Sequence, residues 1–157
     1  DTHTVFQPRL EAVWNDSVYD TGSLSGLTST QIERLTINIE NFKPKYKKGT
    51  LSTIRIKGRE KYPAKTHSVT SSYMDVKYLP SGSSYYSIVD NRTSTTIIPF
   101  GSGSIISCDS NGNYINLRTE ALEVERVYEI QFKIESGSGI NKTVQYFDGN
   151  HQFLVVK

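Results

Sequence analysis

The chain has 157 residues, moderate hydrophobic content and a formal net charge of +2, long enough to bury a real core in one large domain or two small ones. No apolar run approaches the roughly 18 residues of a membrane span, and no basic, apolar leader opens the sequence. The single cysteine, Cys108, excludes an intrachain disulfide and a zinc site built on several thiolates.

In chain order, nearly every segment reads as a short strand between turns. Residues 5–14 give a strand with Leu10, Ala12 and Trp14 on one face, broken early by Pro8, and this alternation assigns Trp14 to the core. One helical turn is predicted over Thr28 to Arg34, where Ser29 or Thr30 can cap it. Leu35 to Ile39 alternates cleanly. Ile54 and Ile56 follow, with Arg55, Lys57 and Arg59 pointing the other way. Residues 73–79 alternate less clearly and stop at Pro80-Ser81-Gly82. Tyr85 to Val89, Thr95 to Phe100 and Ile105 to Cys108 are rich in β-branched and aromatic residues. Asn111-Gly112 then predicts a hairpin into Tyr114 to Arg118.

The stretch from Leu122 to Ile134 is the most informative. Tyr128, Ile130, Phe132 and Ile134 alternate with Glu129, Gln131 and Lys133. Leu122 and Tyr128 have the spacing of a tyrosine corner, in which the hydroxyl bonds back to the preceding loop. After Ser136 to Gly139 come strands over Val144 to Phe147 and Phe153 to Val156, with Asp148-Gly149-Asn150 as the turn between them. The expected class is all-β. The halves look loosely alike, which predicts two tandem immunoglobulin- or fibronectin III-like sandwiches, 1–69 and 70–157, with one merged sandwich as the alternative. The absence of Met at position 1 predicts either a longer polypeptide or a processed N-terminus.

The histidines, His3, His67 and His151, are dispersed, and no nucleophile elbow, zincin motif or phosphate loop occurs. No catalytic residue, metal ligand or cofactor is therefore assigned. Asp109, Asn111 and Asn113 with Glu120 imitate a calcium loop, but the glycine is misplaced, so the hairpin is preferred. Asn15, Asn91 and Asn141 begin sequons that chance explains in a chain rich in Ser and Thr. Charge is uneven: residues 43–65 carry nine basic side chains against Glu60 alone. Arg55, Lys57 and Arg59 are the first candidates for docking an acidic protein surface, with Tyr85 and Tyr86, beside a small-residue loop, second. Few aromatics interleave the basic window, which argues against nucleic acid.

The stretches VFQPRLEAVWNDS (5–17), YYSIVD (85–90), IIPF (97–100), SCDSNGNY (107–114), ERVY (125–128) and the closing YFDGNHQFLVVK (146–157) resemble virion structural proteins of tailed bacteriophages, especially T4-like phages of marine bacteria. That resemblance implies a non-catalytic building block of the particle, made in the host cytoplasm and held in the virion by contacts with other virion proteins. It implies no membrane partner. The rival expectation is a carbohydrate-binding or adhesin module that takes a host glycan, for which exposure of Trp14 beside tyrosines would be the sign.

Overall fold

The structure, a computed structural model, describes residues 14–28, 32–63, 67, 69, 76–137 and 139–157. The predicted strand over 5–14 lies outside them apart from Trp14. The described strands, clearest where residues alternate with period two as in β4, β9 and β10, are β1 Ser25–Gly26, β2 Leu35–Glu40, β3 Lys45–Lys47, β4 Leu51–Glu60, β5 Lys77–Tyr78, β6 Ser84–Asp90, β7 Thr95–Ile98, β8 Ser107–Asp109, β9 Gly112–Arg118, β10 Val127–Ser136 and β11 Thr143–Val156. In the predicted helical turn, Ile32 N–H donates to the Thr28 carbonyl (3.0 Å), while residues 29–31 lie outside the described set.

Two sheets enclose one hydrophobic core, the arrangement of a β-sandwich. The first sheet runs β1-β5-β4-β9-β8, with β2 on the other side of β4; the second runs β3-β11-β10-β6-β7. Ile54 and Ile56 of β4 and Ile115 and Leu117 of β9 share a single buried cluster with Ile88, Ile130, Phe132, Ile134, Phe153 and Val155 of the facing sheet. Burying each such side chain stabilises the fold by about 1.5–3 kcal/mol. At Gly58 an added Cβ would sit 2.6 Å from Leu79 Cδ2, so this inward position of β4 admits only glycine without repacking.

The chain does not divide at residue 69. β4 pairs with β9 from Leu51↔Arg118 to Ile56↔Asn113, and β3 lies parallel to β11 from Leu154↔Lys45 to Val156↔Lys47. Both sheets thus draw strands from both predicted domains, and the merged alternative describes them. The loose likeness of the halves reflects shared strand alternation, which carries no information about which strand pairs with which.

The last predicted turn is also different. Both halves of β11 pair with the same strand, Phe132↔Phe147 and Ile130↔His151, so Asp148-Gly149-Asn150 bulges out of one continuous strand. Asn150 takes φ +54°, the left-handed conformation that asparagine tolerates. The β8–β9 hairpin forms as expected, closed by Asp109↔Gly112, with Gly112 at φ +115°.

Candidate contact surface and lateral groove

The tyrosine corner is built as its spacing predicts. Tyr128 is buried, and its hydroxyl accepts the Glu123 backbone N–H at 2.8 Å. Leu122 is buried beneath the same loop. This is a structural device that ties the entrance of β10 to the loop before it.

Alternation along β4 puts Arg55, Lys57 and Arg59 on its outer face. Two of the three are already partnered within the chain. Arg55 Nη1 lies 2.7 Å from Asp109 Oδ1 and its guanidinium is 5.2 Å from the Tyr114 ring centre; Lys57 Nζ lies 2.7 Å from Glu40. The Asp109 contact pushes the Arg55 guanidinium further up, and Arg55 in turn holds the Asp109 carboxyl below its usual range. Among the described residues Arg59 forms no ion pair, and its Nη1 donates to the Glu60 carbonyl at 3.3 Å. The expected three-residue docking face is therefore reduced to one unneutralised cation.

Uncompensated positive charge collects elsewhere. Among the described residues, Lys43, Lys45, Lys47 and Lys48 form no ion pair. They flank β3, the terminal strand of its sheet, with Tyr46 buried between exposed Lys45 and Lys47. Lysines on an edge strand repel the edges of other sheets.

Tyr85 and Tyr86 lie within β6 and point to opposite faces, so they are not a loop pair. The Tyr85 hydroxyl donates to the Gly82 carbonyl (2.8 Å), and Lys133 Nζ sits 4.7 Å from its ring centre and 5.5 Å from that of Phe100. Phe100 meets Tyr146 edge-on at 5.9 Å, and Tyr146 is 68% exposed. The outer face of the second sheet thus carries an aromatic patch around one cation. Sequence reading missed Phe100 and Tyr146, because neighbours on a sheet face are distant along the chain.

Tyr86 turns toward a lateral groove of about 370 Å³ between the two sheets. β8 covers β9 only from Gly112 to Tyr114, so among the described residues no strand pairs that side of Ile115 to Arg118. Among the described residues β7 ends the opposite sheet. Ile88, Ile98, Ile105, Ile115 and Leu117 form the groove's apolar wall; Trp14, Asp16 and Arg118 join Tyr86 around it. Burial pushes the Tyr86 hydroxyl up, with Asp16 adding to that shift and Arg118 opposing it.

Trp14 is 69% exposed, which corrects its assignment to the core. Its segment runs outside β8, where Cys108 N–H donates to the Val18 carbonyl (2.9 Å) and Asp20 N–H to the Cys108 carbonyl (3.0 Å). That attachment leaves Trp14 at the groove mouth instead of on an inward strand face.

Nucleophiles and metal donors do not converge among the described residues. Cys108 is fully buried and its thiol is pushed up to about 11, so it is inert as a nucleophile. His151 packs edge-on against Phe42 and Phe132, and burial lowers its imidazole; His67 is exposed and His3 lies outside the described residues. No group of three or more His, Cys, Asp or Glu side chains is placed to hold a metal among the described residues. In the calcium-like stretch, Asp109 Oδ1 is taken by Arg55 and the Asn111 N–H, and Asn113 Oδ1 accepts the Leu79 N–H. No described helix is long and apolar enough to cross a membrane. Comparison with protein-family models, curated proteins and solved structures finds no match for this chain.

Proposed function

We propose that this chain is a non-catalytic structural component of a tailed-bacteriophage particle, an immunoglobulin-like sandwich acting through contacts with other virion proteins in a symmetric assembly. Its place is then the virion, after synthesis in the host cytoplasm. The observation that carries the reading is the aromatic patch of Tyr85, Phe100 and Tyr146 around Lys133, an outward surface of the residue types that anchor protein interfaces. The phage-like stretches support it.

The patch replaces the basic strand face as the leading contact site, because Arg55 and Lys57 are consumed internally and the patch relies on its rings, Lys133 being itself paired with Glu135 at 3.0 Å; Arg59 stays as a secondary contact. Mass spectrometry of purified particles should detect the chain, and Tyr146→Asp should remove it from particles without lowering the melting temperature of the isolated protein. Particles that lack the wild-type chain would refute the assignment. Normal incorporation of Tyr146→Asp would refute the patch.

A second reading, a glycan-binding module, is favoured by one specific observation: Trp14 is exposed and lines the same groove as Tyr86. Binding of the isolated chain on a glycan array tests it.

A further inference from the structure

We propose that the lateral groove is a saccharide site that takes a neutral hexose unit of an oligosaccharide, with Trp14 as stacking platform and Asp16, Arg118 and the Tyr86 hydroxyl as ligands to its hydroxyl groups. The proposal rests on the glycan-binding reading and adds to it the site and the ligand class. It does not depend on the virion assignment.

Four features argue for it. The groove's volume, about 370 Å³, lies within the range of sites that enclose a small ligand. Its wall is apolar on one side, and Trp14 offers a broad exposed ring at the mouth, which suits the C–H face of a pyranose. Asp16 and Arg118 line the groove together with Tyr86 and bring opposite charges to it. An anion would gain from Arg118 and lose to Asp16, and a cation the reverse, so a simple ion finds little net attraction. A neutral polyol gains from both, because carboxylate oxygens accept from its hydroxyls and the guanidinium donates to them. Finally, Ile115 to Arg118, on the side of β9 that no described strand pairs, all line the groove.

Trp14 is the sole tryptophan, so the intrinsic emission of the full chain reports on the groove directly. Titration with maltotriose, cellotriose and triacetylchitotriose at up to millimolar concentration should shift that emission saturably for at least one of the three. Calorimetry should show Arg118→Ala weakening the same binding about tenfold, the worth of one charge-assisted hydrogen bond. Trp14→Ala should abolish it and Trp14→Phe should keep most of it. Both sites are exposed, so melting temperatures should match the parent and separate lost binding from lost fold. Silence toward all three trisaccharides in emission and calorimetry overturns the proposal. Array binding that survives both Trp14→Ala and Arg118→Ala also overturns it, while leaving the glycan-binding reading intact; silence on the array as well removes both.

Discussion

The Tyr128 hydroxyl satisfies a backbone N–H that would otherwise be stranded beside the core, so its removal costs more than a surface hydrogen bond. Tyr128→Phe should lower the free energy of unfolding by about 1–3 kcal/mol in urea denaturation. Gly58→Ala should destabilise by a similar amount, about 1–3 kcal/mol, because the new methyl drives into Leu79. Acid sensitivity follows from three carboxylates. Asp90 is held below its ordinary 3.8 first by Arg126, Asp109 by Arg55, and Glu135 below 4.5 by Lys142 and Lys133. Each binds protons more readily in the unfolded chain. Their stabilisation is complete above those ordinary values and is lost as pH falls through the lowered ones. Glu129 works oppositely: hydrogen bonding to Asp148 raises it, so its contribution is present at low pH and fades as pH rises through the raised value. Urea midpoints should therefore drop steeply below pH 3.8. A midpoint that stays flat there would contradict the pairing.

The outer face of β4 shows why a charge run is a poor guide to a docking face. Alternation placed Arg55, Lys57 and Arg59 together, and β8, one strand beyond β9, then supplied Asp109 to Arg55 while β2 supplied Glu40 to Lys57 on the diagonal. Exposed pairs of this kind contribute roughly 0–1 kcal/mol, so Lys57→Ala should change stability by less than about 1 kcal/mol. Arg126 differs, since it faces Asp90, whose side chain is only 2% exposed. Arg126→Met should lower the melting temperature more than Arg55→Met does, because it strands a buried carboxylate. Equal losses would mean that Asp90 finds another partner. The same distinction separates Tyr85 from Tyr86. One residue apart on β6, they reach opposite surfaces, an aromatic patch and a groove.

Two sheets that share strands from the whole chain make one folding unit. A fragment of residues 70–157 would lose β4 from β9 and β3 from β11, exposing Ile115 and Leu117 along with unpaired main-chain edges. It should show neither a cooperative thermal transition nor dispersed amide resonances, whereas the full chain should show both. A well-folded fragment would restore the boundary at 69. The groove belongs to the same level of organisation: its wall comes from β6, β7 and β9, and its rim from the segment before β1.

Local chemistry alone was enough to read β2, β4, β6, β7, β9 and β10, the β8–β9 hairpin and the Leu122–Tyr128 corner, but not β1, β3 or the continuity of β11. Each depends on residues a few positions apart: alternation sets faces, Asn-Gly sets a turn, and a six-residue spacing sets a corner. Pairing was not readable, because a period of two says which side of a strand is buried and nothing about its neighbour. The merging of the halves, the bulge at Asp148-Gly149-Asn150, the neutralising of Arg55 and Lys57 and the exposure of Trp14 all follow from which strands came to lie side by side. Those contacts join residues far apart in the chain, whose free energy depends on the whole core forming at once.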